Sequence, residues 1–365
     1  MIVVSYPQSL LWFGLIIKGK FLMDNNTIDF ALLGTGNIAG KYVSAVNNVS
    51  GASITAVVSR TASRAEEFAQ KHDIANFSDS LESLAEKLDF DAVIIATPSG
   101  LHADGAIRAA KLKKHVLCEK PLDITIEKID AMTAACESAG VRLGCAFQHR
   151  TAEHNRAAYE AVQAGKLGKI YIANSFLKKY RAQDYYDSAA WRGTWDLDGG
   201  GPFIQQAAHT LDLMVWMMGR AKSVFARTAT VAHDIEVEDM GHAIVEYENG
   251  ARGVLEASTV IRPGYPNKIE IHGEKGSIIL TDSEIVDWSV EGLEAPQFEG
   301  ISNASGVTDP MAIGTQGHER ILADFVEAVR DDREPMIPPA SARLSVELIL
   351  ALYESARQGR TVQIQ

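Results

Sequence analysis

From Ile28 to about Gln148 the chain repeats one pattern, a short apolar run followed by a stretch with apolar residues at helical spacing. The runs are "IDFALLG" (28–34), "SITAVVS" (53–59), "DAVIIAT" (91–97), "HVLCE" (115–119) and "VRLGCAF" (141–147). Their nearly continuous apolar character suits strands covered on both faces. Between them lie "NIAGKYVSAVNN", "SRAEEFAQKHD", "GLHADGAIRAAKL" and "TIEKIDAMTAACESAG". Strands alternating with helices imply right-handed crossovers, and therefore an α/β fold with a doubly wound parallel sheet.

After residue 150 the texture changes. A helix at 152–165 leads into longer, more polar strand candidates at 169–180, 223–232, 242–259 and 267–281. The turns "YENGAR" and "HGEKGS" read as hairpin connections, with Asn249-Gly250 the stronger signal. Alternation with one polar face predicts an open, mostly antiparallel sheet in a C-terminal α+β domain. One helix at about 204–218 interrupts it, and two more, at about 316–330 and 340–358, close the chain.

With 365 residues the chain exceeds what one core usually serves, so two domains are expected, at 25–148 and 149–365. The second would bind substrate and mediate oligomerisation. Residues 1–24 are expected to be an extension outside the fold; a short surface helix or partner-binding tail is the alternative. Its apolar stretch "SLLWFGLII" (9–17) is shorter than the roughly 20 residues that span a bilayer. No positive charge precedes it and no small-residue cleavage pattern follows.

The balance of 47 acidic against 35 basic residues, a formal charge of -12, argues against a nucleic-acid surface. Cys118, Cys136 and Cys145 show no CxxC spacing, which disfavours a disulfide framework or zinc site and fits a reducing, cytoplasmic setting. His72, His102 and His115 show no metal-ligand spacing either, so no metal is expected.

The first apolar run ends in "GTGNIA", which carries Gly34, Gly36 and Ala39 and opens a helix. The first glycine permits the tight turn, the second lets the backbone approach a pyrophosphate, and the small residue allows close helix–strand packing. Phosphates at Gly34, Gly36, Asn37 and Ile38 would sit on the helix N-terminus, where free N–H groups and the dipole favour an anion. This is the fingerprint of a Rossmann dinucleotide domain. At the end of the second run an acid would hold a ribose hydroxyl and repel a 2′-phosphate. Ser59, Arg60 and Arg64 stand there instead, so NADP(H) is preferred, with NAD(H) possible.

The run at 115–119 exits into "CEKPL", where Glu119 and Lys120 precede Pro121. Ligands of open parallel sheets bind outside the carboxyl ends of strands, where Thr97, Pro98, Glu119 and Lys120 all lie. A partly desolvated ammonium loses its proton more readily. Lys120 could then take a proton from a hydroxyl or return one to a carbonyl. Downstream, Gln205 and His209 are four residues apart and share one helix face.

"GTGNIA", "ATPSGLH", "CEKPL", "WRGTWDLDGGG" and "AAHTLDL" occur in the order seen in the Gfo/Idh/MocA oxidoreductases. The chain resembles that family from about residue 28 to its C-terminus. The resemblance implies a lysine–proline bond at 120–121 that is often cis, and a catalytic group of Lys120, His209 and Gln205. His209 matches the family pattern as a proton relay or a partner of the reacting oxygen. Gln205 departs from the family's aspartate, since an amide orients a substrate but accepts no proton at neutral pH. The resemblance also implies cofactor contacts from His102, Gln148, Trp191 and Arg192, and substrate contacts from Lys120, Arg150, Gln205 and His209. Gln148 and Arg150 leave the last strand of the first domain and are expected to face the cleft.

The expected function is hydride transfer between NAD(P) and a hydroxyl or carbonyl of a sugar, polyol or related small molecule. A nucleotide-dependent hydrolase or lyase using transient oxidation, and a non-catalytic nucleotide sensor, are the alternatives. Neither nucleic acid nor membrane is an expected partner. An open sheet without helices on its outer face predicts a homodimer or homotetramer.

Overall fold

The structure, a computed structural model, describes residues 27–282, 284–298 and 314–364. The extension expected at 1–24 lies outside the described residues. The first half contains strands β1 (Ile28–Leu33), β2 (Ala52–Val58), β3 (Asn76–Ser78), β4 (Ala92–Ile95), β5 (His115–Cys118) and β6 (Leu143–Cys145). Helices α1 (Asn37–Val46), α2 (Ala62–Lys71), α3 (Leu81–Ala85), α4 (His102–Lys111) and α5 (Ile126–Ala139) connect them. All six strands pair in parallel in the order β3-β2-β1-β4-β5-β6. Strand order reverses between β1 and β4, the kind of switch point at whose carboxyl ends the ligands of such sheets bind. Phe30, Leu32, Val57, Ile94, Ile95, Val116 and Leu117 are each at most 1% exposed, which is why these runs read as apolar throughout.

The five predicted strands are present, β2 shifted by one residue and the other four shorter than their apolar runs. The sixth, β3, escaped notice because it is a three-residue edge whose one apolar member, Phe77, is 44% exposed. Asn76 Nδ2 instead ties it to the Thr55 carbonyl at 2.9 Å, a link no hydrophobic period reveals.

The second half builds α6 (Glu153–Gln163), β7 (Ile170–Lys178), α7 (Gln183–Asp187), α8 (Ala208–Met218), β8 (Ala221–Ala229), β9 (Met240–Tyr247) and β10 (Arg252–Ser258). It continues with β11 (Lys268–Gly273), β12 (Gly276–Thr281), β13 (Ile285–Val290), α9 (Gln316–Arg330), α10 (Pro339–Gln358) and β14 (Val362–Gln363). Eight strands line up as β13-β12-β11-β7-β10-β9-β8-β14, antiparallel except for the β7–β10 pair. Both predicted hairpins form, with Gly250 at φ +86° between β9 and β10. One face of the sheet is buried against α8 and α10, where Met214, Met217, Leu348, Ile349 and Leu352 join the second core. On the other face Ile172, Ile244 and Val254 are 46, 59 and 39% exposed, and Ile244 sits between Phe225 and Val254 in register.

The cores do not divide where the sheets do. Ile321, Leu322, Phe325 and Val326 of α9 pack into the first core, against β1 and α1. α10 serves both, with Ala342 and Val346 in the first core and Leu348, Ile349, Leu352 and Tyr353 in the second. The first sheet ends with β6 at Cys145 and the second begins with β7 at Ile170, while the last two helices return to cover the first. Among the described residues no helix is long and apolar enough to cross a membrane.

Candidate active site

The β1–α1 turn is built for close approach. Gly34 has φ +117°, and a Cβ there would meet the Ala96 carbonyl oxygen at 2.4 Å, so only glycine lets β1 pass the exit of β4. Gly36 is the N-cap of α1; no side chain caps the helix, and its first turn carries no acid. The amides at Gly36, Asn37 and Ile38, at this uncapped helix start, could hold a pyrophosphate, which the dipole would favour. At the end of β2, Ser59 is half-buried, while Arg60 and Arg64 are exposed, their side chains with no hydrogen bond or ion pair among the described residues.

The exits of β4 and β5 are tied together by one imidazole. His102, 1% exposed, places Nδ1 2.8 Å from the Pro121 carbonyl and Nε2 2.9 Å from the Thr97 carbonyl. The Lys120–Pro121 bond is cis, as the resemblance implied. Glu119 turns inward: Oε1 accepts from Tyr42 Oη at 2.8 Å and lies 3.5 Å from His318 Nε2, while Oε2 accepts from the Lys120 amide at 3.2 Å. Burial pushes its carboxyl up, but His318, Lys120 and Tyr42 outweigh burial and hold it below the usual carboxylate range. Lys120 points the other way, and its Nζ donates to the Gln205 carbonyl at 3.0 Å. Burial lowers the pKa of this ammonium; Glu119, Asp198 and Cys145 oppose the shift and Arg192 adds to it.

Gln205 belongs to a loop anchored from behind. Glu238, 3% exposed, accepts from the amides of Gly201 (2.9 Å) and Phe203 (3.3 Å) and from Tyr353 Oη (2.8 Å). A Cβ on Gly200 would meet Tyr353 Oη at 2.2 Å, and one on Gly201 the Glu238 carbonyl oxygen at 1.8 Å. The triple glycine is a packing demand: the loop threads between these groups, and no phosphate cradle is needed to explain it. Burial pushes the Glu238 carboxyl up to about 7, against its three hydrogen-bond donors. α8 begins at Ala208, later than the predicted 204, so Gln205 lies in the hydrogen-bonded turn before it and only His209 is in the helix. The Gln205 amide nitrogen reaches Ser99 Oγ (3.3 Å) and the Asp198 carbonyl. Gly100 donates to the Leu197 carbonyl at 2.9 Å, so the β4 exit and the glycine loop touch directly.

His209 stacks on His149, ring centroids 4.3 Å apart and planes 10° from parallel, with Phe147 edge-on at 5.9 Å. Burial, then His149 and Lys120, drive its pKa well below the usual imidazole value, so the ring is neutral at physiological pH. Arg192 is sandwiched over the rings of Tyr185 and Trp191 at 4.5 and 4.6 Å, and its Nη1 donates to Tyr185 Oη at 2.9 Å. Thr97 Oγ1, Gln148 Oε1, Arg192 Nε, Asp198 Oδ1 and His209 Nδ1 are all buried without a hydrogen-bond partner among the described residues. Unpaired buried polar atoms are rare. Others occur elsewhere among the described residues, but these five belong to the residues around Lys120 and Gln205, where a bound dinucleotide and polar substrate could supply the missing partners.

Two expectations need correction. Arg150 does not face the cleft. It is 3% exposed, and its guanidinium makes a bidentate pair with buried Asp212 (2.7 and 2.6 Å) and reaches Ser341 Oγ at 2.7 Å. The Glu119 carboxylate is likewise committed to the interior. Sequence reasoning also missed Asp198, Glu238 and His149. Glu238 pairs with a loop 37 residues away and left no local signal; Asp198, inside "DLDGGG", was visible but read only as part of a turn.

A strand-order switch point, an uncapped glycine turn and a desolvated lysine at the neighbouring strand exit are the features a nucleotide-dependent dehydrogenase or reductase requires. The family model for "Oxidoreductase family, NAD-binding Rossmann fold" matches residues 28–147, and that for the "GFO/IDH/MocA C-terminal domain" matches 155–279. The WlbA dehydrogenase of Bordetella pertussis, solved with NADH and UDP-GlcNAcA, superposes with a TM-score of 0.83 at 31% identity, over 93% of this chain and 99% of that one. The scyllo-inositol 2-dehydrogenase (NAD(+)) of Bacillus subtilis is 26% identical over 343 residues, 92% of this chain and 95% of that protein. A D-xylose 1-dehydrogenase (NADP(+)) of Haloferax volcanii is 28% identical over 338 residues, 92% of this chain and 99% of that protein. The chain belongs to the Gfo/Idh/MocA oxidoreductase family, and its named relatives are NAD(P)-dependent dehydrogenases and reductases.

The burial of Arg150 yields a stability prediction. Asp212→Asn leaves a guanidinium without its anion in a dry site, and urea unfolding at neutral pH should show a loss of about 3 kcal/mol. A loss below about 0.5 kcal/mol, the range of ordinary surface changes, would return Arg150 to the candidates for substrate binding.

Proposed function

We propose that this protein transfers hydride between a nicotinamide cofactor, preferably NADP(H), and a hydroxyl or carbonyl carbon of a sugar, polyol or related small molecule. The observation that carries the reading is Lys120: it leaves the β5 exit, reaches the Gln205 carbonyl, and carries an ammonium whose hold on its proton burial has weakened. The bound cofactor supplies or takes the hydride. In oxidation, Lys120 Nζ takes the proton of the substrate hydroxyl; in reduction it returns one to the carbonyl oxygen. His209, neutral through burial, holds the reacting oxygen or passes its proton onward. Gln205 orients substrate hydroxyls, and Trp191 with Arg192 forms a flat wall beside them.

Polyhydroxylated substrates are supported by the relatives, whose names include an inositol, a pentose and a nucleotide-linked sugar acid. Those relatives include users of both cofactors, so the preference rests on Ser59, Arg60 and Arg64. Two exposed guanidinium groups, without partners among the described residues, at and just after the β2 end suit a 2′-phosphate. The three cysteines are buried and free, which suits a reducing, cytoplasmic setting. We further propose that the outer face of the second sheet, with Ile172, Ile244 and Val254, pairs two copies into a homodimer or a larger homotetramer.

Lys120→Met should bind cofactor as the parent does and turn over about 10²- to 10⁴-fold more slowly in steady-state assays of sugars and polyols. Near-normal turnover would sink the role of Lys120. In a fluorescence titration NADPH should bind more tightly than NADH, and Arg60→Asp should weaken NADPH about tenfold while sparing NADH. Tighter NADH binding would overturn the cofactor preference and leave the enzyme intact. Light scattering should give a dimer or tetramer, reduced to monomer by Ile244→Glu; a monomeric parent would refute the pairing.

A further inference from the structure

Asp198 lies in the loop before the triple glycine and is 4% exposed. Its Oδ2 accepts from the Gly193 amide at 2.8 Å, while Oδ1 is buried with no hydrogen-bond partner among the described residues. A carboxylate oxygen left dry and unbonded is costly unless a cation faces it. A hydrogen-bonded path joins the backbone of Asp198, through Gln205, to one nearby cation, Lys120. The Gln205 amide donates to the carbonyl of Asp198, and the Gln205 carbonyl accepts from Lys120 Nζ at 3.0 Å. Burial pushes the Asp198 carboxyl up to about 6, and the Gly193 amide, Arg192 and Lys120 pull it back.

The charges around Lys120 are few. Glu119 and Asp198 favour its ammonium, as does the Cys145 side chain, and Arg192 opposes it. The rings of His149 and His209 lie in its field, and Tyr353 Oη lies in that of Asp198. Glu119 is shared among Tyr42, His318 and the Lys120 amide. Gln205 carries no charge. Asp198 is therefore the carboxylate with an uncommitted oxygen.

We propose that Asp198 is a positioning carboxylate of Lys120, a charge that with Glu119 sets the pH at which this lysine exchanges its proton with the substrate. The inference rests on the reading of Lys120 as proton carrier. It concerns no contact of Asp198 with substrate. The anion favours the ammonium, so it raises the pH at which Lys120 becomes a base; removing it lowers that pH. For oxidation of an alcohol, which needs the neutral amine, the acid limb of kcat/KM should move to lower pH in Asp198→Asn. A nearby opposite charge in a poorly solvated site moves such a midpoint by about one unit or more.

The test measures two midpoints in parent and Asp198→Asn: that of kcat/KM against pH, and that of Lys120 reductive methylation in the cofactor-free protein, followed by mass spectrometry. Both should fall together by about one pH unit. Where the asparagine variant fails to fold, Asp198→Ser keeps an acceptor for the Gly193 amide and should give the same downward shift. Unmoved midpoints in a folded variant overturn the proposal. If they are unmoved while Lys120→Met is inactive, only the role of Asp198 falls; if Lys120→Met stays active, the reading of Lys120 has failed first.

Discussion

An ammonium group stationed in a largely dry corner is the constraint around which the rest of this protein is arranged. Full burial with a dedicated carboxylate would keep Lys120 permanently charged, and full exposure would leave it at the usual lysine value. The structure takes a middle course. The Lys120 side chain is half-buried, and its Nζ is held by a neutral acceptor, the Gln205 carbonyl. The adjacent carboxylate, Glu119, is drawn inward by Tyr42 and His318. Attraction and desolvation oppose each other, and desolvation prevails.

Holding that balance requires stiff neighbours, because electrostatic effects change steeply with distance in a poorly solvated site. His102 supplies stiffness on one side by bridging the exits of β4 and β5. On the other side Glu238 and Tyr353 grip the triple glycine loop through three hydrogen bonds. Glu238 bears a desolvation penalty that lifts its carboxyl to about 7, which makes sense where loop position matters more than local stability. Arg150 and Asp212 act similarly, pinning the exit of β6 to α8, so a residue expected to touch substrate instead holds the helix that carries His209.

Much of this was legible in the amino-acid order, and the reason is physical. Strands buried on both faces must be apolar throughout, and a turn that brushes a carbonyl at 2.4 Å must be glycine, so β1, β2, β4, β5, β6 and Gly34 left local traces. Lys120 stood out because a charge at a strand exit contradicts its surroundings. What stayed hidden depends on pairing across long separations. The inward turn of Glu119 needs His318, about 200 residues later, and the burial of Arg150 needs Asp212 and Ser341. Arg150 was read by its place at a strand end, a rule that fixes where a backbone goes but not which way a long side chain folds. Edge strand β3 carries too few residues for any period to show.

The return of α9 and α10 explains why such distant residues share one site. His318 opens a helix whose apolar stripe, Ile321, Leu322 and Phe325, belongs to the first core, so the stripe dictates where the imidazole meets Glu119. α10 then runs from that core into the second, carrying Ala342 in one and Tyr353 in the other. Tyr353 bonds Glu238, Glu238 holds Gly201, and the loop beyond sets the Gln205 carbonyl that receives Lys120. The lysine comes from the parallel sheet and its acceptor from the second half of the chain. One continuous helix packed into both cores therefore helps fix the distance between them, so packing far from the cleft bears directly on the proton affinity within it.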